Sequence, residues 1–143
     1  MDHTRIAFLV SNSIAISMAV CSLKNVTLAR YCYAIMFFAA AIVNAYTAFT
    51  TPEAYQSFAD FAFFSFYKVF INGFFKSHAT TLLLFIVAGQ LVIAISLVKK
   101  SLTIGCWGGI LFFFCISPFG FAAAFPSPLF WIVGLFIIYR KSL

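Results

Sequence analysis

Two amide side chains, Asn44 and Gln90, stand inside long apolar runs of the sequence, where few other polar groups occur. Asn44 lies in the second half of the run Tyr31–Phe49, and Gln90 lies near the middle of the run Thr80–Val98. Counted at about 1.5 Å per helical residue, the two amides reach similar depths. A buried amide costs several kcal/mol in hydrocarbon unless it is paired. We therefore expect both amides to face protein and to meet directly or through one water molecule.

These amides permit two interpretations. As interhelical hydrogen bonds, they would stabilise a helix pair by about 0.6 to 2 kcal/mol each. As part of a ligand-binding site, they would form a polar pocket together with Tyr46, with Tyr67 and His78 at its rim. An apolar slot with a few hydrogen-bonding groups is the usual composition of a small-molecule site. A lone interfacial histidine such as His78 is, however, more often a solvated residue than a ligand or proton carrier.

The sequence offers no residue set for a common catalytic chemistry. It contains no Walker loop, no Ser/His/Asp arrangement, no paired carboxylates and no histidine-rich metal site. The four cysteines have neither C-x-x-C nor zinc-ligand spacing and are interpreted as structural thiols; they are Cys21, Cys32, Cys106 and Cys115. We predict no catalytic residue and no metal ligand, and only a quinone or a lipid is considered as a bound molecule.

The composition explains why polar residues are so few. Of the 143 residues, 64% are hydrophobic and 8% are charged, and the mean hydropathy is +1.08. An ordinary soluble domain carries about 25% charged residues, and a chain of this size cannot cover such an apolar surplus with its own polar surface. These values exclude a cytosolic globular enzyme and predict a protein whose main partner is the lipid bilayer. The net charge of +6 lies at the ends of apolar runs, so no nucleic-acid partner is expected.

Five apolar runs predict membrane-spanning helices, since about 20 apolar residues cross ~30 Å of hydrocarbon. The runs are Ile6–Leu23, Tyr31–Phe49, Thr80–Val98, Leu102–Ser117 and Pro128–Tyr139. The last run rises only about 18 Å and needs local thinning of the bilayer or packing beside Gly120–Phe125. The first run is either a spanning helix or a signal-like leader. We accordingly divide the chain into an N-terminal transmembrane segment, residues 1–28, and a helical bundle, residues 29–143.

Between the second and third runs lies Thr51–Ser77, here called the aromatic segment, which contains eight Phe and two Tyr. Its polar residues recur at multiples of four and form a narrow stripe on a helical wheel; they are Gln56, Asp60, Lys68, Asn72 and Lys76. This pattern predicts an interfacial helix, or one folded back over the bundle, that ends near Asn72-Gly73.

The cations separate between the two sides of the predicted bundle. Six fall on one side: Lys24, Arg30, Lys99, Lys100, Arg140 and Lys141. The other side carries Arg5, Lys68 and Lys76 together with all three acids, Asp2, Glu53 and Asp60. By the positive-inside rule, the side with six cations is cytoplasmic. We therefore predict a multi-pass protein of the cell membrane with its C-terminus in the cytoplasm and the aromatic segment outside.

The order of these features resembles the DoxX-like superfamily of small four-helix membrane proteins, over about residues 30–139. The resemblance is carried by short motifs: Val43-Asn44-Ala45-Tyr46, Pro52-Glu53-Ala54-Tyr55, Phe58-Ala59-Asp60, Phe66-Tyr67-Lys68, Ala88-Gly89-Gln90 and Ser117-Pro118-Phe119-Gly120. It implies an all-α, antiparallel four-helix transmembrane bundle, to which the N-terminal span is an addition. It also implies, loosely, redox partners such as those of quinone-linked thiosulfate oxidation. Many relatives carry glutamate where this chain has Gln90, so a role that needs a carboxylate there is put in doubt.

These observations lead us to expect a non-catalytic multi-pass membrane protein that binds a lipid-like or quinone-like molecule or a partner subunit. The alternative is a membrane subunit of a quinone-linked oxidoreductase whose redox centre lies on a soluble partner, because the sequence shows no haem or iron–sulfur ligand set. A small transporter ranks third, since no inverted repeat is visible. A small-residue patch, Gly105, Gly108 and Gly109, fits either packing within the chain or a homo-oligomer.

Overall fold

The apolar runs of the sequence fold into helices in a computed structural model that describes residues 2–143. The α-helices are α1 (His3–Lys24), α2 (Val26–Thr50), α3 (Ser65–Phe70), α4 (Lys76–Val98), α5 (Leu102–Ile116) and α6 (Ser127–Lys141). Two 3-10 helices cover Pro52–Asp60 and Ser117–Ala123, and a π-helical turn, Ile71–Phe75, joins α3 to α4. Residues 2–143 include no β-strand, so the expected all-α fold class is confirmed.

Four helical stretches are long and apolar enough to cross a membrane: His3–Lys24, Val26–Thr50, Ser65–Val98 and Leu102–Ala123. They contain the first four of the predicted spans. The fifth predicted span lies within α6, which has only 15 residues. A helix of that length rises about 22 Å, less than the ~30 Å thickness of a hydrocarbon core. By length and composition, the described chain therefore has four spanning candidates rather than five.

Helix α1 packs beside α6, and the two run in the same direction. Near their beginnings the hydroxyl oxygens of Ser11 and Ser127 lie 3.3 Å apart. At their ends the ammonium group of Lys141 donates to the carbonyl of Leu23. Asn25 separates α1 from α2 and caps α2 by accepting a hydrogen bond from the Leu28 amide at 3.0 Å. The boundary between the first helix and the rest of the bundle thus lies at Asn25, three residues before the predicted end of the N-terminal segment at residue 28.

The core joins α2 to the later helices through Tyr33, which is completely buried. Its hydroxyl donates to the Trp131 carbonyl at 2.9 Å, and the two rings meet edge to face with centroids 5.3 Å apart. Gly134 makes this approach possible, because a Cβ at that position would collide with the Tyr33 hydroxyl.

The small-residue patch of α5 makes its contacts inside the chain. A Cβ on Gly105 would lie 2.9 Å from the Leu97 side chain, and one on Gly109 would lie 2.7 Å from Leu135. Gly108 faces Ile93 in the same way, at 3.1 Å. These glycines therefore let α5 approach α4 and α6 closely. The packing interpretation of the patch is confirmed, and the homo-oligomer stays a prediction.

The aromatic segment is not the single helix that the sequence predicted. A 3-10 helix, Pro52–Asp60, is followed by an irregular turn, and the chain then enters α3. Asn72-Gly73 does not end a helix but lies in the π-helical turn, through which the chain continues directly into α4. The polar stripe is therefore divided among four elements: the first 3-10 helix, α3, the π-helical turn and α4. In the irregular turn after Pro52–Asp60, the backbone amide of Phe63 donates to the Pro118 carbonyl of the second 3-10 helix at 2.8 Å.

The two ends of the bundle differ in chemistry. At the end named here the basic end, α1, α4 and α6 finish and α2 and α5 begin; it carries Lys24, Arg30, Lys99, Lys100, Arg140 and Lys141. The opposite end, named the aromatic end, carries both 3-10 helices and the start of α1. Asp2, Glu53 and Asp60 all lie at the aromatic end.

Gly120 is the position where the two 3-10 helices meet most closely, and its φ of +63° is unfavourable for any side chain. A Cβ there would lie 2.5 Å from the Phe61 carbonyl oxygen, which is backbone and cannot move aside cheaply. We expect Gly120→Ala to reduce the free energy of unfolding by about 1–3 kcal/mol, measured by circular dichroism during denaturation in mixed micelles. Gly89→Ala is the control, because nothing lies within 4 Å of a Cβ at Gly89. Equal stability of the two variants would contradict this account of the aromatic end.

Candidate functional site

Three side chains form a chain of hydrogen bonds below the aromatic segment. The amide nitrogen of Asn44 in α2 donates to the side-chain oxygen of Gln90 in α4 at 3.0 Å. The hydroxyl of Tyr55, in the first 3-10 helix, donates to the side-chain oxygen of Asn44. Gln90 is only 2% exposed. The direct contact between the two amides that the sequence predicted is therefore confirmed.

The antiparallel packing of α2 against α4 brings these groups together. Small side chains, Ala41 and Ala48, lie on the buried face of α2 and allow close approach of the two backbones. A second link toward the aromatic end joins the same helices, with the Thr80 hydroxyl donating to the Ala48 carbonyl at 3.2 Å. The amides thus meet at a depth that the register of the helix pair determines.

The site is neutral and retains a free hydrogen-bond donor. Burial raises the pKa of the Tyr55 phenol above its usual range, so the hydroxyl stays protonated at neutral pH and acts as a donor. A side-chain amide has two N–H groups, and Asn44 uses one of them for Gln90. Gln90 accepts through its oxygen and does not line the cavity, so among these groups the second N–H of Asn44 is the donor left for a ligand. The arrangement therefore suits a ligand that offers a hydrogen-bond acceptor, such as a carbonyl oxygen.

A cavity of about 250 Å³ lies against these groups. Asn44 and Tyr55 are the only lining residues that carry a polar side chain, and all others are aromatic or aliphatic: Phe58, Phe70, Ile71, Phe75, Leu83, Ile86, Phe112, Ile116, Phe119, Ala122 and Ala123. Above the cavity the rings of Phe58 and Phe119 meet edge to face, with centroids 5.7 Å apart. The two 3-10 helices thus close the aromatic end of the cavity.

An apolar groove of about 420 Å³ adjoins the cavity. The groove and the cavity share five lining residues, which are Phe70, Ile86, Phe112, Ile116 and Phe119. On its outer side the groove is bordered by Phe66, which is 66% exposed, and by the exposed Cys115. The cavity therefore continues, without a polar barrier among these lining side chains, to the apolar outer surface between α3 and α5.

The structure brings some of the predicted site residues together and leaves others apart. Tyr67 lines the groove rather than the rim of the cavity, and its hydroxyl donates to the Cys115 carbonyl at 2.9 Å. Tyr46 lies outside the cavity and is 70% exposed. Tyr46 follows Asn44 by two residues, which correspond to about 200° around a helix, so its side chain lies on the opposite face of α2. His78 is also outside the cavity, where its ring stacks on Phe74 with centroids 4.5 Å apart.

Tyr55 is the site residue that the sequence analysis did not select. It was counted as part of the apolar body of the aromatic segment, in which phenylalanine predominates. Its hydroxyl could have identified Tyr55 as a site residue, since a buried tyrosine needs a hydrogen-bond partner. Within residues 2–143, no group of three or more His, Cys, Asp or Glu side chains could hold a metal ion.

The contact between Asn44 and Gln90 predicts a measurable coupling energy. In a double-mutant cycle with Asn44→Leu and Gln90→Leu, we expect the effects on unfolding free energy to depart from additivity by about 0.6 to 2 kcal/mol. The measurement is reversible unfolding in mixed micelles. Asn44→Leu combined with Asn72→Leu is the control, because Asn72 is exposed and belongs to another element. Additive effects in both pairs would show that the contact does not stabilise the bundle.

Comparisons of this chain with protein-family models, curated proteins and solved structures gave no match. The resemblance to DoxX-like proteins accordingly depends on the quoted motifs alone, and the function is argued from the site.

Proposed function

We propose that this protein is a non-catalytic multi-pass membrane protein that binds one lipid-like or quinone-like molecule in the cavity below the aromatic segment. The observation that carries this proposal is that Asn44 and Tyr55 lie at the wall of an otherwise apolar cavity and are hydrogen-bonded to each other. Gln90, behind this wall, accepts a hydrogen bond from Asn44. Small-molecule sites typically combine an apolar lining with a few polar groups that orient the ligand.

The position of the polar groups favours a ligand over a purely structural contact. Amides that only join two helices need no open space beside them. Here both Asn44 and Tyr55 border the cavity, and one N–H of the Asn44 amide has no partner among the described residues. A molecule with an acceptor oxygen on an apolar body matches this environment; a quinone carbonyl and a lipid ester carbonyl both have this chemistry.

The dimensions limit what the cavity can hold. Its volume of about 250 Å³ is slightly below the roughly 300–1,000 Å³ of pockets for drug-sized ligands. It therefore accommodates one ring or a short chain segment, and the remainder of an apolar tail would occupy the adjoining groove. Because the groove opens on the apolar surface, the ligand would come from the bilayer and not from water.

The proposal also includes the orientation of the protein in the membrane and its membership of the DoxX-like superfamily. The basic end carries six of the nine Lys and Arg residues and none of the Asp and Glu residues. The positive-inside rule therefore supports a cytoplasmic basic end in a protein of the cell membrane. In this orientation the cavity lies near the outer leaflet, and the 15-residue α6 would complete a fifth crossing only where the bilayer is locally thinned. A DoxX-like bundle with an added N-terminal helix is the architecture we propose for this arrangement.

The decisive comparison uses two tyrosines. Tyr55→Phe removes a hydroxyl from the hydrogen-bond chain. Tyr46→Phe removes a hydroxyl from an exposed position toward the same end of the bundle, outside the cavity. Loss of one hydrogen bond corresponds to about a two- to tenfold weaker affinity. We expect native mass spectrometry of gently solubilised protein to show a retained quinone or lipid. That retention should fall by this factor in Tyr55→Phe and stay unchanged in Tyr46→Phe.

Gln90→Leu separates binding from stability in the same experiment. A binding role predicts that the variant loses the retained molecule, because Gln90 orients the Asn44 amide that borders the cavity. If the wild type retains no molecule, or if Gln90→Leu lowers only the melting temperature, then the amides serve as structural contacts and the proposal is wrong.

A further inference from the structure

Arg30, near the beginning of α2, is buried without a hydrogen-bond acceptor. Its side chain is only 6% exposed, and its Nε is sealed from solvent with no partner among the described residues. The guanidinium lies over the ring of Tyr31, with Cζ 5.0 Å from the ring centroid. An aromatic face attracts a cation, but it supplies no oxygen to the N–H groups.

No acid of the protein can compensate this charge. All three acids lie at the aromatic end, whereas Arg30 precedes Asn44 by 14 residues, about 21 Å along α2. That distance places Arg30 at the basic end, at or beyond the depth of the turn with Lys99 and Lys100. A buried charge without a partner costs several kcal/mol, and none of the Asp and Glu side chains lies near enough to compensate this one.

An anion has access to the end of the Arg30 side chain. Nε is the nitrogen of this side chain that is shielded from solvent without a hydrogen-bond partner. The two terminal nitrogens are not shielded in this way, so an anion can reach them. The guanidinium group presents parallel N–H donors that match two oxygens of one phosphate. The neighbouring cations of the basic end raise the local concentration of anions.

We infer that Arg30 anchors a phosphate group at the basic end of the bundle, separate from the cavity at the aromatic end. Two sources share this chemistry: the headgroup of an anionic phospholipid, and inorganic phosphate. The basic end lies where the helices leave the apolar layer, which is the depth of lipid headgroups.

The test uses the full chain purified in a neutral detergent, with three additions at equal concentration. These are phosphatidylglycerol, diacylglycerol, which has the same chains without phosphate, and inorganic phosphate. We expect phosphatidylglycerol to raise the melting temperature and to remain bound in native mass spectrometry, and diacylglycerol to do neither. A response to inorganic phosphate as well would support the site and identify the free anion as sufficient.

The variants separate Arg30 from general charge attraction. Arg30→Gln should lose about tenfold or more in phosphatidylglycerol binding, as expected when a charged hydrogen-bond partner is removed. Arg140→Gln removes the same charge from an exposed position at the same end and should keep the response. Without added lipid, Arg30→Gln should melt at the same temperature as the wild type or higher, because an uncompensated buried charge is gone.

Three results would overturn the inference: no response to any phosphate-bearing addition, an equal response to diacylglycerol, or equal losses in the two Gln variants. If Arg30→Gln does not fold, Arg30→Lys decides the question, since it keeps the charge but lacks the planar pair of donors. Binding reduced severalfold in Arg30→Lys supports the site, and unchanged binding contradicts it.

Discussion

The side chain of Asn44 determines how the central helix pair is arranged. A lone amide in hydrocarbon is costly, and only a partner on another element removes that cost. Asn44 has two such partners, Gln90 on α4 and Tyr55 in the first 3-10 helix. These bonds set the rotation of α2 and α4 about their axes and attach the aromatic segment above them. In the observed arrangement Phe37 of α2 and Leu97 of α4 are both completely buried in the same core cluster.

The bundle combines two ends of different chemistry around this pair. At the aromatic end, rings from both 3-10 helices cover a cavity whose two polar lining side chains, Asn44 and Tyr55, are uncharged. Gly120 is essential there because it allows the two 3-10 helices to meet with backbone in direct contact. At the basic end, cations gather without acids, and one of them, Arg30, is enclosed by protein. Such an arrangement suits a protein that contacts the apolar part of one leaflet and the headgroups of the other.

Several features could be predicted from the sequence because they follow from local physical costs. The long apolar runs required helices, and the cost of unpaired amides required Asn44 and Gln90 to meet. Other features depend on tertiary packing and could not be predicted. Tyr55 differs from its phenylalanine neighbours only by a hydroxyl whose partner lies on another helix. Asn72-Gly73 lies in a π-helical turn between α3 and α4, although the dipeptide alone favours the end of a helix. Arg30 was counted as one cation among six, since nothing in its local sequence shows that other helices bury it.

The central claim is that the cavity beside Asn44 holds a molecule taken from the bilayer. The most direct measurement is the electron density of crystals grown from a lipid mesophase, without added ligand. Our account predicts continuous density that begins within hydrogen-bond distance of Asn44, about 3 Å from its amide, and extends along the groove toward Phe66. A cavity closed by its own side chains, with Asn44 and Gln90 bonded only to protein, would contradict it.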